Sequence, residues 1–310
     1  MYSGAITDVE GILVGHCTDQ EAKTGVTAIL AQGGAVAGVQ VLGGGPGTRE
    51  TDSMQPGRLV DKINAILLSG GSAFGLNAAA GAMRVLEGRG EGYDVGVGKV
   101  PIVGQAVLFD LGYGKSDVRP DEDMGAVACL VAGKTVPQGN VGAGCGATVG
   151  KMAGQAVPSV MADKAGLGTA SLTLPDGSHI GALVAVNAAG DVYHPETGEW
   201  MAGGHLPDGT PVPAVKMLAQ TGKASDFNGN TTIGVIATDA ALTREQTNRL
   251  ALLAHDGYGR AIRPVHMPVD GDTVFALSTG RRQGEYMLLC ALAAEVMARA
   301  IANAVEAAKA

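Results

Sequence analysis

Short runs of β-branched and aliphatic residues recur along the chain between glycine-rich turns, and this pattern predicts strands. The predicted strands are residues 12–14, 26–30, 35–42, 64–68, 100–103, 106–109, 169–174, 181–187, 231–238 and 273–277. The run at 231–238 opens with three β-branched residues and therefore predicts a central strand of a sheet.

Helical patterns are found at four places between or after these runs. The predicted helices are residues 73–87, 121–132, a helix opened by Thr243, and 284–308. Ser72 is expected to cap the first helix, and Thr243 with Gln246 forms a capping-box pattern at the third. Because strands and helices mix without strict βαβ alternation, the sequence predicts an α+β layered fold.

In the segment 190–229 the hydrophobic residues follow neither a strand pattern nor a helical pattern. The segment is also too long for an ordinary connection between elements. It carries glycine, proline and histidine, and we expect it to be the least ordered part of the chain. The sequence shows no internal repeat and no low-complexity tail. We therefore expect residues 1–310 to form one domain.

Glycine is the compositional anomaly, with 49 among 310 residues, where a share of about 7% is usual. These glycines follow no collagen-like period, so they indicate tight turns and close approaches of the backbone. The net charge of −8 argues against a nucleic-acid partner, which would require a basic face.

The N-terminal residues 1–10 lack a secretory signal pattern, and the most apolar stretch, 288–297, is interrupted by Glu295. We therefore expect neither secretion nor a membrane span. The cysteines are dispersed and form no Cys-x-x-Cys pair, which favours reduced thiols over disulfides or zinc ligands. The chain is expected to be cytoplasmic.

Several local motifs carry little information by themselves. Residues 142–147 fit a dinucleotide fingerprint but lack a clear preceding strand and an acidic partner, so a tight backbone turn is favoured over a nucleotide site. Lys151, taken alone, is expected to be a solvated lysine. The six histidines show no zinc-binding spacing, and residues 70–74 miss the last position of a serine-hydrolase elbow.

Two segments change this interpretation when they are taken together, namely NGNTTI at 228–233 and ATDA at 237–240. Further segments of the same kind are GTRETD at 47–52, GGSAFGL at 70–76, VPIV at 100–103, VGAG at 141–144, GK at 150–151 and PVDGD at 268–272. With them the chain resembles the self-processing L-aminopeptidase/D-esterase (DmpA-like) family, which includes β-peptidyl aminopeptidases and 6-aminohexanoate-oligomer (nylon oligomer) hydrolases. The resemblance spans nearly the whole chain in the expected order.

The resemblance implies a four-layer αββα sandwich and an N-terminal-nucleophile amidohydrolase. The bond between Asn230 and Thr231 matches the self-cleavage point, so a large chain, 1–230, and a small chain, 231–310, are expected. Cleavage would free the α-amine of Thr231, whose ordinary pKa near 7.7–8.0 suits a base that travels with its own nucleophile.

The resemblance also implies roles for four other residues. Asp270 and Asp272 would orient the amine and hydroxyl of the nucleophile, and Asn187 would offer an amide donor to the oxyanion. Lys151 would lie beside the nucleophile as a positive charge. Phe109 stands where the nylon oligomer hydrolases carry a tyrosine, so a hydroxyl contact to the substrate or oxyanion is missing there.

Threonine combined with an Asp-x-Asp pair places the chain nearer the nylon-hydrolase branch than the β-peptidyl aminopeptidases. We therefore expect a hydrolase of peptides, aminoacyl amides or linear 6-aminohexanoate oligomers that works without metal or organic cofactor. The cleaved heterodimers are expected to associate into a homo-oligomer. An acyl transferase of the same fold is the alternative enzyme. The alternative of another class is a glycine-rich small-molecule-binding protein, with residues 142–147 as its only support.

Overall fold

A computed structural model describes residues 1–222 and 229–309. Its strands are β1 Ile12–Asp19, β2 Thr24–Val41, β3 Thr48–Arg49, β4 Lys62–Ser69, β5 Tyr93–Asp94, β6 Lys99–Val100, β7 Val103–Val107, β8 Thr148–Val149, β9 Asp163–Lys164, β10 Leu167–Thr173, β11 His179–Asn187, β12 Asp191–Tyr193, β13 Trp200–Ala202, β14 Thr231–Ala240, β15 Ile262–Arg263 and β16 Thr273–Arg282. Its α-helices are α1 Ala78–Gly88, α2 Glu122–Leu130, α3 Lys151–Ala156, α4 Ala214–Thr221, α5 Arg244–Ala261 and α6 Tyr286–Ala308.

The main sheet is mixed and has the strand order β10-β11-β14-β16-β2-β4-β7-β3, with β1 added beside β2. Its neighbours are antiparallel except for the β14–β16 and β4–β7 pairs, which are parallel. The 18-residue strand β2 spans both halves of the sheet. Its first half lies between β1 and β4, whereas its last residues pair with β16.

The bend in β2 lies at two adjacent glycines. Gly33 and Gly34 both have a φ of 77°, in the left-handed region that favours glycine. The register of β2 against β4 shifts between Leu30 and Ala35 at the same place. The two strands predicted at 26–30 and 35–42 are therefore one bent strand, which lets a single sheet fold over on itself.

Three hydrophobic cores separate four layers. The strands alternate their side chains between these cores, so that Ile233 and Val235 of β14 face the core between the two halves of the sheet while Ile236 faces helices α5 and α6. Helices α1 and α2 close the third core against β2, β4 and β7. The order helix, sheet, sheet, helix confirms the predicted four-layer αββα sandwich of α+β class.

The predicted helix starts have mixed outcomes. Thr243 and Gln246 form the predicted capping box, and the Asp121 side chain caps α2 by accepting from the backbone N–H of Met124. The prediction for Ser72 is wrong, because it makes no side-chain cap and its φ is 53°. Its N–H donates to the carbonyl of Leu108, the residue after β7, and a 3-10 helix precedes α1.

The described residues of the connection 190–229 are more ordered than the sequence predicted. The connection contains β12, β13 and α4 within its described part, whereas Asn228 of the motif lies outside the described residues. The buried carboxylate of Asp191 organises it by accepting from the N–H groups of Gly204, at 3.0 Å, and Ala214, at 2.7 Å. Burial raises the pKa of Asp191 to about 6.

Helix α6 has the length and apolar composition of a membrane-spanning helix, but about two-thirds of its most apolar window is buried in the fold. It packs against α5, β10 and β11. Packing within the core formed by α5, α6 and the adjacent strands therefore accounts for most of its apolar surface.

Two glycines of α5 provide a test of this packing. A Cβ at Gly257 would lie 2.6 Å from the carbonyl oxygen of Ala294 in α6, whereas a Cβ at Gly259 meets nothing within 4 Å. We expect Gly257→Ala to lower the free energy of unfolding by about 1–3 kcal/mol through overpacking. The matched Gly259→Ala should raise it by about 0.5–1 kcal/mol through helix propensity. Chemical denaturation measures both, and equal effects at the two sites would contradict the close α5–α6 contact.

Candidate active site

The predicted nucleophile and the aspartate pair meet at the start of two parallel strands. Thr231 is the first residue of β14, and Asp270 and Asp272 lie just before β16. Parallel neighbours begin at the same edge of a sheet, and an additional β-bridge joins Asn230 to Asp270. The side chains of Asn230, Thr231, Asp270 and Asp272 are all buried. The sheet therefore brings together residues that lie about forty positions apart in the sequence.

Asp272 contacts the backbone beside Thr231 rather than the Thr231 hydroxyl. Its Oδ1 accepts from the N–H of Thr232 at 2.7 Å. Its Oδ2 accepts from the backbone N–H of His266 at 3.0 Å and lies 2.9 Å from the ring Nδ1 of that histidine. His266 belongs to no motif and was not predicted from the sequence, because a loop conformation with a φ of 58° brings it to the site.

Asp270 retains an unused acceptor. Its Oδ2 accepts from the N–H of Met267 at 2.8 Å, while its buried Oδ1 has no hydrogen-bond partner among the described residues. Burial, and next the charge of Asp272, raise the pKa of Asp270 to about 6. A buried oxygen without a partner is costly, so a group able to donate to it would be held firmly.

Lys151 is not the solvated side chain expected from the local sequence alone. Although the residue as a whole is only partly buried, its Nζ donates to Oδ1 of Asn187 at 2.7 Å and to the carbonyls of Asn187 and Thr148. Desolvation lowers the pKa of Lys151 to about 7, against the opposing effect of Asp270. The positive charge predicted here is thus partial at neutral pH.

Asn187 lies directly opposite Thr231 in the β11–β14 register. Its Nδ2 donates to the carbonyl of Phe109 at 2.9 Å and to that of Gly229 at 3.4 Å. The carbonyl of Asn230 instead accepts from the N–H of Gly271 at 3.0 Å and from the hydroxyl of Thr231. The oxyanion role of Asn187 stays a prediction. In the continuous chain its amide donates to the carbonyl of Gly229, which lies next to the predicted scissile carbonyl of Asn230.

Two cavities adjoin these residues. One of about 120 Å³ is lined by Thr231, Asn230, residues 45–47, Ser72 and Phe109 among others. A second, of about 250 Å³, is lined by Phe109, Lys151 and Gly229 among others. Phe109 thus borders both cavities, and its place at the substrate stays a prediction.

A larger cavity, of about 520 Å³, lies elsewhere and is lined by Tyr2, Trp200 and Glu306 among others. None of the predicted site residues borders it. Within the residues that the structure describes, no cluster of three or more histidine, cysteine or acidic side chains is arranged to hold a metal ion.

The glycine-rich turn at 142–147 forms a buried 3-10 turn as predicted. Its N–H groups are used internally, because Gly142 donates to the hydroxyl of Thr18 at 2.7 Å and Ala143 to that of Thr27 at 3.1 Å. These amides are therefore engaged by the protein itself, unlike those of a phosphate-binding loop.

Comparison with known proteins identifies the family. The sequence profile of peptidase family S58 matches residues 4–310. The chain belongs to this family. A Mycobacterium tuberculosis (strain ATCC 25618 / H37Rv) protein described as an uncharacterized aminopeptidase is 47% identical over 291 residues, covering 89% of this chain and 81% of the relative. The 6-aminohexanoate-oligomer endohydrolase of Kocuria sp. (strain KY2) is 31% identical over 316 residues, covering 96% and 84%.

Solved structures agree on the fold. The L-aminopeptidase D-Ala-esterase/amidase from Ochrobactrum anthropi, a variant of the Ntn hydrolase fold, superposes with a TM-score of 0.71 at 23% identity, covering 98% of this chain and 86% of that one. A Burkholderia sp. β-aminopeptidase gives a TM-score of 0.70 at 23% identity, covering 98% and 86%. The S58 chain described here is thus a hydrolase acting on peptide bonds, and the binding-protein alternative is set aside.

The altered pKa of Lys151 predicts a pH-dependent stability. The pKa is about 7 in the folded chain against an ordinary 10.5, so between these values the unfolded chain binds more protons at this site. Stability contributed by this site therefore rises as pH increases through that window. From pH 7 to about pH 9, the wild type should gain stability relative to Lys151→Met.

Urea denaturation at several pH values measures this difference. Lys99, an exposed lysine, provides the control Lys99→Met for the simple loss of a charge. A Thr231→Val background keeps the chain in one piece if self-cleavage occurs. Parallel pH curves for the wild type and Lys151→Met would show that Lys151 titrates normally.

Proposed function

We propose that this S58 protein is a self-processing amidohydrolase that cuts its own Asn230–Thr231 bond and then hydrolyses amides with Thr231 as nucleophile. The observation that carries the proposal is the hydrogen bond from the Thr231 hydroxyl to the carbonyl of Asn230. The nucleophile thus lies against the bond to be cut, buried between the aspartate pair and the amide of Asn187.

The proposed self-cleavage is an acyl shift followed by hydrolysis. Oγ1 of Thr231 attacks the carbonyl carbon of Asn230, the C–N bond breaks, and the hydroxyl proton ends on the nitrogen of Thr231. Water then adds to the ester, which restores the hydroxyl and leaves a carboxyl group on Asn230. The products are the chains 1–230 and 231–310, the second beginning with a free amine.

The unused oxygen of Asp270 supports the next step. In the cleaved protein the new α-amine of Thr231 would have an acceptor close by, since Asp270 and Asn230 already form a β-bridge. Asp272 would continue to hold the N–H of Thr232. The amine could then take the hydroxyl proton when Thr231 attacks a substrate carbonyl, forming an acyl-enzyme that water hydrolyses.

The proposed substrates are peptides, aminoacyl amides or linear 6-aminohexanoate oligomers. Relatives described as an aminopeptidase and as 6-aminohexanoate-oligomer endohydrolases support this range. The described lining of the 120 Å³ cavity beside Thr231 is apolar, neutral or backbone, which suits an uncharged amide segment. All three substrate classes share such a segment.

Two adjacent threonines allow a matched test of the nucleophile. Thr231→Val removes the attacking hydroxyl and should leave a full-length, inactive chain. Thr232→Val removes a buried hydroxyl that has no hydrogen-bond partner among the described residues, and it should still be cleaved. Denaturing electrophoresis should divide the 31.0 kDa chain into pieces of about 23 and 8 kDa, in proportion to their 230 and 80 residues.

N-terminal sequencing of the smaller piece should give Thr-Thr-Ile-Gly. Thr231→Ala should behave like Thr231→Val, whereas Thr231→Ser could retain cleavage because serine keeps a hydroxyl. Cleavage of Thr231→Val at this bond, or an amidase activity equal to that of the wild type, would refute the proposed nucleophile.

Hydrolysis and acyl transfer are distinguished by their products. An acyl-enzyme on Thr231 can be intercepted by an amine, and transfer would require a site that favours that amine over water. For a hydrolase, adding a primary amine at millimolar concentration to an amide substrate should divert little of the acyl group. Mass spectrometry of the products measures the partition, and a predominant new amide would favour the acyltransferase.

A further inference from the structure

We infer that the backbone N–H of Gly271 is the oxyanion donor for self-cleavage at Asn230. This inference rests on the proposed cleavage of the Asn230–Thr231 bond and assigns a component of it that the sequence did not indicate. The Gly271 nitrogen lies 3.0 Å from the carbonyl oxygen of Asn230, the atom on which negative charge would develop.

The Asp270–Gly271 peptide group is held at both ends. Its carbonyl accepts from the N–H of Gly45 at 2.8 Å, while its N–H donates to Asn230. A donor already fixed in place need not reorient as the charge develops, which is the condition for effective electrostatic stabilisation. The bond from Gly45 also polarises the peptide group and so strengthens its N–H as a donor.

Sheet geometry explains why this donor faces the scissile carbonyl. The regular parallel ladder of β14 and β16 begins at Ile233 and Thr273, and the Asn230–Asp270 bridge extends it beyond the strand start. Between these points the carboxylate of Asp272 takes the N–H of Thr232. Asn187, the donor expected from the sequence, is engaged with Gly229 and Phe109 instead.

The requirement for glycine at position 271 is spatial. A Cβ there would lie 2.7 Å from Oγ1 of Thr231 and 3.0 Å from the carbonyl oxygen of Gly45. Gly271→Ala would therefore displace the nucleophile while keeping the N–H, and it cannot isolate the effect of the hydrogen bond. The test must remove the N–H without adding a side chain.

In the assigned step, Oγ1 of Thr231 forms a bond to the Asn230 carbonyl carbon and the carbonyl electron pair moves onto oxygen. The N–H of Gly271 stabilises that oxyanion by donating to it. The electron pair then re-forms the carbonyl double bond and the C–N bond breaks. The Thr231 nitrogen receives the proton that the hydroxyl lost. Atoms and charge balance without any co-reactant until water hydrolyses the ester.

The test replaces Gly271 with glycolic acid during cell-free synthesis, which converts one peptide bond into an ester, deletes this N–H and makes the Asp270 carbonyl a weaker acceptor. Glycolic acid at Gly234, a buried sheet position in β14 away from the scissile bond, is the matched control. Cleavage is followed by pulse-labelling and electrophoresis. The Gly271 ester should cleave about 10²–10³-fold more slowly, as expected for loss of one oxyanion donor, and the Gly234 ester near the unmodified rate.

Equal cleavage rates for the two esters would overturn the inference, provided that the unmodified chain cleaves. An unmodified chain that stays intact would instead refute the proposed function. A second measurement applies if the chain with the ester at position 271 does not fold. In uncleaved Thr231→Val, isotope labels on the Gly271 nitrogen and the Asn230 carbonyl carbon should show a scalar coupling across the hydrogen bond by NMR, and its absence in the folded chain would equally overturn the inference.

Discussion

The parallel pairing of β14 with β16 determines where the proposed reacting groups of this S58 hydrolase lie. Because the two strands start at the same edge of the sheet, the backbone of Asn230 and Thr231 runs beside that of residues 270–272. Asp272 extends this pairing with its side chain, by taking the N–H of Thr232. A change of register by one residue would turn the Thr231 side chain to the other face of the sheet and separate it from these partners.

Close backbone contacts around this strand pair account for part of the unusual glycine content. The loop 43–45 donates from the N–H groups of Gly43 and Gly45 to the carbonyls of Asp272 and Asp270. A Cβ at Gly43 would lie 2.3 Å from the carbonyl oxygen of Asp270, so no larger residue fits without moving the aspartate segment. Here glycine supplies space for backbone-to-backbone contact, whereas in the bend of β2 it supplies a positive φ.

Burial of charged groups gives the site its chemical character. Desolvation lowers the pKa of Lys151 to about 7 and raises the pKa of Asp270 to about 6. Both pKa values therefore lie near neutrality. Such values are favourable for groups that exchange protons, and they reduce the cost of burying full charges. Each group is held by neighbours that are fixed by the fold, Asn187 for the lysine and the Met267 N–H for the aspartate.

The sequence by itself determined the α+β class, most strands of the main sheet and the capping box at Thr243, and through family resemblance the four layers. The same resemblance predicted a candidate site of Thr231, Asp270, Asp272, Asn187 and Lys151, whose catalytic roles stay predictions. These features follow from local periodicity, turn chemistry and short motifs, all of which depend on residues that are close together in the sequence. Tertiary structure alone decided that β2 is one bent strand, that His266 braces Asp272, that Lys151 is enclosed by Asn187, and that Gly271 rather than Asn187 donates to the Asn230 carbonyl. The physical reason is that these contacts join distant segments through sheet register, and hydrogen-bond partners at about 3 Å are set by that register rather than by any local pattern.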